Sequence, residues 1–171
     1  MPKTKMFENY PFRISCTSVI LAFVIYFIGA FIMSQFGALP LVMYIVYCLW
    51  MEYRLLKFSC AHCYYYGKNC GVGRGQLCAL LFKKGDPKKF SQKEITWKDL
   101  LPDLFVSFVP ILFGIIFLIR DFSILILFLM VVLFFLSFMG NAIMRGQFLC
   151  PYCKQKELGC PAEKLFNKQG H

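Results

Sequence analysis

The run SVILAFVIYFIGAFIMSQF, residues 18–36, decides the fold of this chain. It contains no charged residue. At the rise of an α-helix it is long enough to cross a hydrocarbon core of about 30 Å. The sequence therefore predicts a first transmembrane helix here.

Three further apolar runs complete two helical hairpins, at residues 39–56, 101–119 and 122–144. A turn from Gly37 to Pro40 separates the first two runs, and Pro40 suits the first turn of a helix because its missing N–H costs nothing there. Arg120 and Asp121 form the turn of the second hairpin. Pro110 lies inside the third run, where it predicts a kink.

Composition agrees with a membrane protein. The chain is 58% hydrophobic, contains 20 Phe and has a mean hydropathy of +0.59, which is far from the usual soluble range. We therefore predict an all-α integral membrane protein with four transmembrane helices. Its expected parts are an N-terminal arm with the first hairpin (1–59), a cysteine-rich loop with short amphipathic helices (60–100), the second hairpin (101–145) and a cysteine-rich tail (146–171).

The distribution of charge predicts the orientation. Of the 19 Lys and Arg residues, all but Arg120 lie in the N-terminal arm, the middle loop or the tail. Because basic segments tend to stay in the cytoplasm, we expect a cell-membrane protein with both termini and the loop on that side. The net charge of +10 then indicates contact with anionic lipid headgroups, and we do not expect nucleic-acid binding.

The expected location determines how the cysteines are interpreted. Thiols in the cytoplasm stay reduced, so a dense set of them favours a metal site over disulfides. Seven of the nine cysteines fall in the segments that we place there: Cys60, Cys63, Cys70, Cys78, Cys150, Cys153 and Cys160.

The cysteine spacing occurs twice. The first cysteine segment, CAHCYYYGKNC (residues 60–70), and the second cysteine segment, CPYCKQKELGC (residues 150–160), have cysteines at matching positions, 90 residues apart. Each segment follows a predicted transmembrane hairpin. The chain therefore looks like two copies of one unit, a hairpin followed by a cysteine knuckle.

Two ligand sets are open for the metal. A local set uses Cys60, Cys63, Cys70 and Cys78 for one ion and the three cysteines of the second segment for another, whose fourth ligand comes from His62, His171, water or a partner. A crossed set joins the pairs Cys60/Cys63 and Cys150/Cys153. Four thiolates suit zinc, which is the expected metal. An iron–sulfur cluster is the alternative, since soft thiolate ligands suit both and Cys–Pro steps are common at such clusters.

The tetrapeptide CPYC, residues 150–153, resembles the active site of glutaredoxins. That resemblance implies thiol–disulfide exchange on a strand-to-helix turn of a small α/β domain. Here the pair follows a transmembrane helix, so a thiol relay is only an alternative function. The outline of four spans with membrane and cytoplasmic cysteines is similar to mercury-uptake proteins, which suggests soft-metal transport through Cys16 as another alternative.

Other residues carry weaker predictions. Glu52, Arg54, Asn141 and Arg145, near the helix ends, are candidates for an interfacial cavity that takes a lipid headgroup or quinone. Tyr64, Tyr65 and Tyr66 are expected at the bilayer interface. GVGRG, residues 71–75, is expected to be a flexible link. Ser91 and Glu94 form a capping box before a segment, residues 95–101, that is expected to lie along the membrane surface.

No set of residues predicts a catalytic reaction. The chain has only two histidines, and no Ser/His/Asp set, zinc-protease motif or paired carboxylate cluster occurs. We therefore expect an adaptor in which zinc orders a juxtamembrane surface for a cytoplasmic protein partner or lipid. Electron transfer through an iron–sulfur cluster and soft-metal transport are the rival functions.

Overall fold

The computed structural model of the protein describes residues 6–86, 90 and 97–160, with the backbone alone at 97–100. Four helices in this part of the chain are long and apolar enough to cross a membrane: Phe12–Ser34, Ala38–His62, Leu101–Arg120 and Ile124–Tyr152. The prediction of an all-helical, multi-pass membrane protein is confirmed.

Five α-helices form the framework of the described chain: α1 (Phe12–Ser34), α2 (Ala38–Phe58), α3 (Gly75–Leu81), α4 (Trp97–Arg120) and α5 (Ile124–Phe135). After α5 the helical path continues through π-helical turns at Leu136–Gly140 and Met144–Leu149, with one α-helical turn, Asn141–Ile143, between them. Short 3₁₀ turns follow at Cys60–His62, Cys150–Tyr152 and Lys154–Lys156. The described residues form no strand, and an isolated bridge pairs Phe7 with Cys153.

Two helices begin earlier than the apolar runs predict. Helix α1 starts at Phe12, directly after Pro11, and α4 starts at Trp97. Hydropathy marks the stretch that lipid covers, whereas backbone hydrogen bonds extend a helix beyond it into water. Residues 97–101 of the predicted surface segment therefore continue into the third span. The predicted capping box at Ser91 and Glu94 lies outside the described residues.

The chain divides into two compact units. The membrane unit consists of Ile20–Glu52 and Lys98–Ala142. The cysteine unit consists of Met1–Val19, Tyr53–Trp97 and Ile143–His171. Helices α1 and α2 each contribute to both units, so the border falls within helices and not at loops.

The membrane unit has a narrow core of Ile, Leu, Met and Tyr side chains: Ile25, Ile28, Ile32, Met33, Tyr44, Cys48, Met51, Val106, Ile126, Met130 and Leu133. Large apolar side chains also point outward, including Phe27 at 74% exposure and Phe128 at 62%. A water-soluble protein rarely exposes apolar surface on this scale. Lipid therefore has to cover the outward faces of this unit.

Pro110 frees one backbone carbonyl within α4, and a tyrosine of α2 binds it. Proline has no N–H, so the carbonyl of Val106, four residues earlier, loses its helical donor. The Tyr44 hydroxyl donates to that carbonyl at 2.9 Å. Gly29 of α1 makes room, because a Cβ there would lie 2.6 Å from Tyr44 Cζ and 3.1 Å from Pro110 Cγ. In lipid a freed carbonyl needs such a partner, which explains how α4 tolerates the proline.

We expect Tyr44→Phe to destabilise the membrane unit by about 1 kcal/mol, the usual size of such a bond in a membrane. Tyr47→Phe is the matched control. Its hydroxyl donates at 2.8 Å to the Pro102 carbonyl, which keeps the ordinary helical donor four residues later. Denaturant titration of the purified protein in detergent measures both. Equal losses for the two variants would contradict a special role for Tyr44.

Candidate thiolate site

The two cysteine segments adopt the same local backbone. In the first, the Cys63 N–H donates to the Cys60 carbonyl at 3.2 Å and the Tyr66 N–H to the Cys63 carbonyl at 3.1 Å. In the second, the corresponding bonds join Cys153 to Cys150 at 3.3 Å and Lys156 to Cys153 at 3.1 Å. The first pair of cysteines therefore brackets a 3₁₀ turn in each segment.

The two segments are also bonded to each other. The Tyr64 N–H donates to Oε1 of Gln155 at 2.8 Å, and the Lys154 N–H donates to the Tyr65 hydroxyl at 2.9 Å. Gln155 is only 2% exposed. Segments 90 residues apart in the sequence are thus joined through buried or half-buried polar groups.

The N-terminal arm fills the space beside both segments. The Phe7 N–H donates to the Tyr152 carbonyl at 3.0 Å, and the Tyr65 hydroxyl donates to the Phe7 carbonyl at 2.6 Å. The Tyr10 hydroxyl donates to the Leu149 carbonyl at 2.6 Å. This role of the arm was not predicted from the sequence, although Phe7 and Tyr10 flank the polar residues Glu8 and Asn9.

A buried cluster of Tyr10, Tyr65 and Leu149, which we call the aromatic cluster, collects sulfur atoms from both segments. The side chains packed against it include Cys63 and Cys70 of the first segment and Cys153 of the second. The Tyr65 ring contacts Tyr10 edge-on, with 5.3 Å between the centroids. The prediction that Tyr65 faces the bilayer interface is wrong, because its ring is 2% exposed within this cluster.

Backbone N–H groups point at these sulfur atoms. The Val72 N–H donates to Cys70 Sγ at 3.4 Å, and further donors to the same sulfur come from Gly73 and Arg74. The backbone of Tyr65 likewise donates to the sulfur of Cys63. Cys153 receives one such hydrogen bond from Gln155. Hydrogen bonds to sulfur favour the thiolate, the form that binds metal.

Burial works in the opposite direction. It raises the pKa of the Cys63 thiol to about 12, and the sulfurs of Cys70, Cys153 and Cys160 add to the rise. Burial likewise raises the pKa of Cys153 to about 11, with Cys160, Cys70 and Cys150 contributing. These thiols are close enough to repel one another as anions, and the repulsion would disappear if a cation lay among them.

Three of the predicted ligands, Cys60, Cys78 and Cys150, do not pack against the aromatic cluster. Cys78 is fully buried in another cluster with Leu56 and Ala61, against which Cys60 also packs. The Cys78 thiol donates to the Leu56 carbonyl at 3.4 Å, and burial raises its pKa. Cys78 therefore has the surroundings of a protonated, space-filling thiol. Cys150 is exposed.

Among the described residues, no three His, Cys, Asp or Glu side chains are arranged to hold a metal ion. His62, the predicted extra ligand, lies against Gly85, where an added Cβ would be 2.5 Å from Nε2. Its Nδ1 is buried and has no hydrogen-bond partner in the described part of the chain. The other histidine, His171, lies outside the described residues.

No known protein family, curated protein or solved structure matches this chain. Its function therefore has to be inferred from the chemistry and packing of the cysteine unit.

The residues predicted to line an interfacial cavity fall in different units. Glu52 and Asn141 belong to the membrane unit, and Arg54 and Arg145 belong to the cysteine unit. Glu52 accepts a hydrogen bond from the Tyr26 hydroxyl at 2.7 Å. Asn141 donates to the Ser137 carbonyl at 3.0 Å. The headgroup or quinone cavity stays a prediction.

A groove of about 180 Å³ lies beside the first turns of α1, and both Cys16 and Cys70 line it. Polar groups of Ser15, Asn69 and Gln76 share the lining. The Ser15 hydroxyl donates to the Cys70 carbonyl at 2.7 Å, which fixes α1 to the first segment. Cys16, in a helix long enough to cross a membrane, thus lines the same groove as Cys70, which packs against the aromatic cluster.

The glycines of GVGRG have packing roles that the predicted flexible link does not explain. Gly73 has a φ of +78°, a conformation that favours glycine. A Cβ at Gly71 would collide with Leu149 and lie 3.1 Å from the Tyr10 ring. A Cβ at Gly75 would collide with the carbonyl oxygens of Lys68 and Tyr65. The segment is therefore closely packed, because neighbouring atoms leave no room for a side chain at Gly71 and Gly75.

Proposed function

We propose that zinc binds Cys63, Cys70, Cys153 and Cys160 and fastens the two cysteine segments together as a juxtamembrane adaptor. The packing of Cys63, Cys70 and Cys153 around one aromatic cluster carries this proposal. Zinc binding requires these side chains to draw together, because no three His, Cys, Asp or Glu side chains of the described residues are arranged to hold an ion. We take Cys160 as the fourth ligand because it lies near both Cys63 and Cys153; Cys60, which lies near Cys63, Cys70 and Cys78, is the alternative. This set crosses between the segments, as one of the two sequence-based arrangements does. It keeps Cys63 and Cys153 of that arrangement and has Cys70 and Cys160 in place of Cys60 and Cys150.

The electrostatics of the cluster support a bound cation. Several buried thiols with N–H donors aimed at them are costly to ionise together without a compensating positive charge. Zinc supplies that charge and accepts four thiolates in a closed tetrahedral site. The Gln155 Nε2 group is buried without a partner among the described residues, so it is free to donate to a thiolate.

The adaptor acts on the cytoplasmic side, where reduced thiols are maintained. The bias of Lys and Arg supports a cytoplasmic location for both termini and the cysteine segments. The matching hydrogen bonds of the two segments support an internal duplication, each copy a hairpin followed by a cysteine turn. The ordered surface takes a cytoplasmic protein partner or anionic lipid.

Labelling in cells tests this orientation. Cys150 is exposed, so an impermeant maleimide should label it only after the membrane is permeabilised. An Asp121→Cys variant, placed in the turn between α4 and α5, should react in intact cells. A Cys150→Ser variant identifies the Cys150 signal in each case. Labelling of Cys150 in intact cells would place the cysteine segments outside.

Elemental analysis and a visible spectrum test the metal. The protein is purified in detergent without oxygen or added metal. We expect about one zinc per chain and no visible absorption, since one closed site uses four ligands. Iron with inorganic sulfide and a broad visible band would replace the proposal with electron transfer. A metal-free protein with titratable thiols would favour a thiol relay.

Soft-metal transfer is a second candidate, favoured by the groove that Cys16 and Cys70 share. Two thiols on one groove offer a transfer point from a membrane helix to the cluster, and copper(I) accepts thiolate ligands readily. If this is the function, purified protein should bind an additional copper(I) that Cys16→Ser abolishes while zinc is retained. Unchanged copper binding in that variant would exclude the transfer route.

A further inference from the structure

Helix α3 exposes a stripe of leucines. Its buried side carries Gly75 and Cys78. Its opposite side carries Leu77, Leu80 and Leu81, which are 46%, 83% and 62% exposed. These three positions follow the i, i+3, i+4 spacing of one helix face. A helix of two turns thus presents a continuous apolar edge that nothing in the described chain covers.

The location of α3 is fixed by the last turns of α2. The Cys78 thiol donates to the Leu56 carbonyl at 3.4 Å. The ring of Phe82, just after α3, packs edge-on against Tyr53 of α2 with 5.5 Å between centroids. Because α2 is one of the helices long and apolar enough to cross a membrane, α3 is tied to the C-terminal end of a candidate span. Near the same end of α2, Phe58 is also 54% exposed.

Positive charge borders this apolar edge. Lys83 and Lys84, which follow Phe82 after α3, are exposed, and so is Lys57 on the last turn of α2. Lys57 Nζ lies 5.7 Å from the centre of the Phe58 ring. Asp86 is the acidic residue of this stretch, and the three lysines outnumber it. Leucines flanked by lysines are the pattern of helices that lie in the headgroup region of anionic membranes.

We propose that α3 is an interfacial helix that inserts Leu77, Leu80 and Leu81 into the anionic leaflet at the exit of α2. The occupant is lipid because α3 is anchored to a membrane-crossing helix at its end and its charged border is complementary to anionic headgroups. Insertion adds a second attachment of the cysteine unit to the membrane, besides the spans themselves. This attachment does not depend on bound zinc, since Cys78 is outside the proposed ligand set.

Tryptophan quenching in nanodiscs tests the proposal with the full chain. Leu80→Trp is made in a Trp50→Phe, Trp97→Phe background and placed in nanodiscs of phosphatidylglycerol and brominated phosphatidylcholine. We expect severalfold stronger quenching by the brominated lipid than for Leu158→Trp in the same background. Leu158 is 53% exposed and is not placed in lipid by the proposal. Iodide, a water-soluble quencher, should show the opposite order.

Charge provides a second measurement that does not alter the leucines further. Replacing Lys83 and Lys84 with Gln should weaken lipid quenching of the tryptophan in the Leu80→Trp variant. With both lysines retained, nanodiscs of phosphatidylcholine alone should weaken the quenching in the same way. If the Leu80→Trp side chain is open to iodide and unquenched by brominated lipid, the proposal is overturned and the leucine face is free for a protein. If neither the loss of both lysines nor the loss of anionic lipid changed the quenching, the preference for an anionic leaflet would be overturned.

Discussion

Replacing Cys153 with serine is expected to remove the zinc that we propose and to loosen the cysteine unit. Cys153 is the proposed ligand that joins the second segment to Cys63 and Cys70, and its backbone pairs with Phe7 of the N-terminal arm. A structural zinc contributes on the order of 10 kcal/mol to folding of a small thiolate domain. The expected loss is therefore much larger than that from an ordinary buried thiol.

Cys78→Ala is the matched control. It removes a fully buried sulfur and its weak hydrogen bond to Leu56, at a cost of about 1 kcal/mol for a deletion of this size. Zinc should remain at the wild-type level. Zinc content and resistance of the cysteine unit to limited proteolysis measure both variants. If Cys78→Ala lost zinc while Cys153→Ser retained it, the local set of Cys60, Cys63, Cys70 and Cys78 would hold the metal.

The transmembrane architecture was predictable because lipid imposes a strong rule. A spanning segment has to be helical and apolar over its length, so the run at residues 18–36 and its three counterparts are visible in the sequence itself. The starts of α1 at Phe12 and α4 at Trp97 were not predictable in this way. They depend on backbone hydrogen bonds, about which hydropathy carries no information.

The candidate site was predictable in its residue types but not in its grouping. Cysteine spacing identifies each turn, since the two cysteines of each pair, Cys60/Cys63 and Cys150/Cys153, are only three residues apart in the sequence. It does not show that Cys63 and Cys70 pack with Cys153 around Tyr10 while Cys60 and Cys78 pack elsewhere. That division depends on contacts between residues many positions apart, such as Tyr10 with Leu149. Spacing within one segment contains no information about them.

Gly75→Ala should unfold or strongly weaken the cysteine unit. The added Cβ would collide with the carbonyl oxygens of Lys68 and Tyr65 and lie 3.1 Å from Cys70 Cβ. Carbonyl oxygens belong to the backbone and cannot rotate away, so the first cysteine segment itself has to move. Gly75 also accepts the Gly67 N–H at 3.0 Å, which ties that movement to the loop. We expect a loss of about 3 kcal/mol, at the upper end of overpacking costs.

Gly146→Ala separates this steric effect from a general effect of replacing glycine. Gly146 lies in a helical turn of the same unit, and a Cβ there meets no atom within 4 Å. Alanine should be neutral or stabilise by up to about 1 kcal/mol, because it favours helix over glycine. Thermal unfolding in detergent and zinc content compare the two variants. Under the proposed ligand set, Gly75→Ala loses zinc as well as stability because Cys70 is displaced. If Gly75→Ala kept wild-type stability and zinc content, the GVGRG segment would be able to shift and accommodate the added methyl group, as a flexible link would.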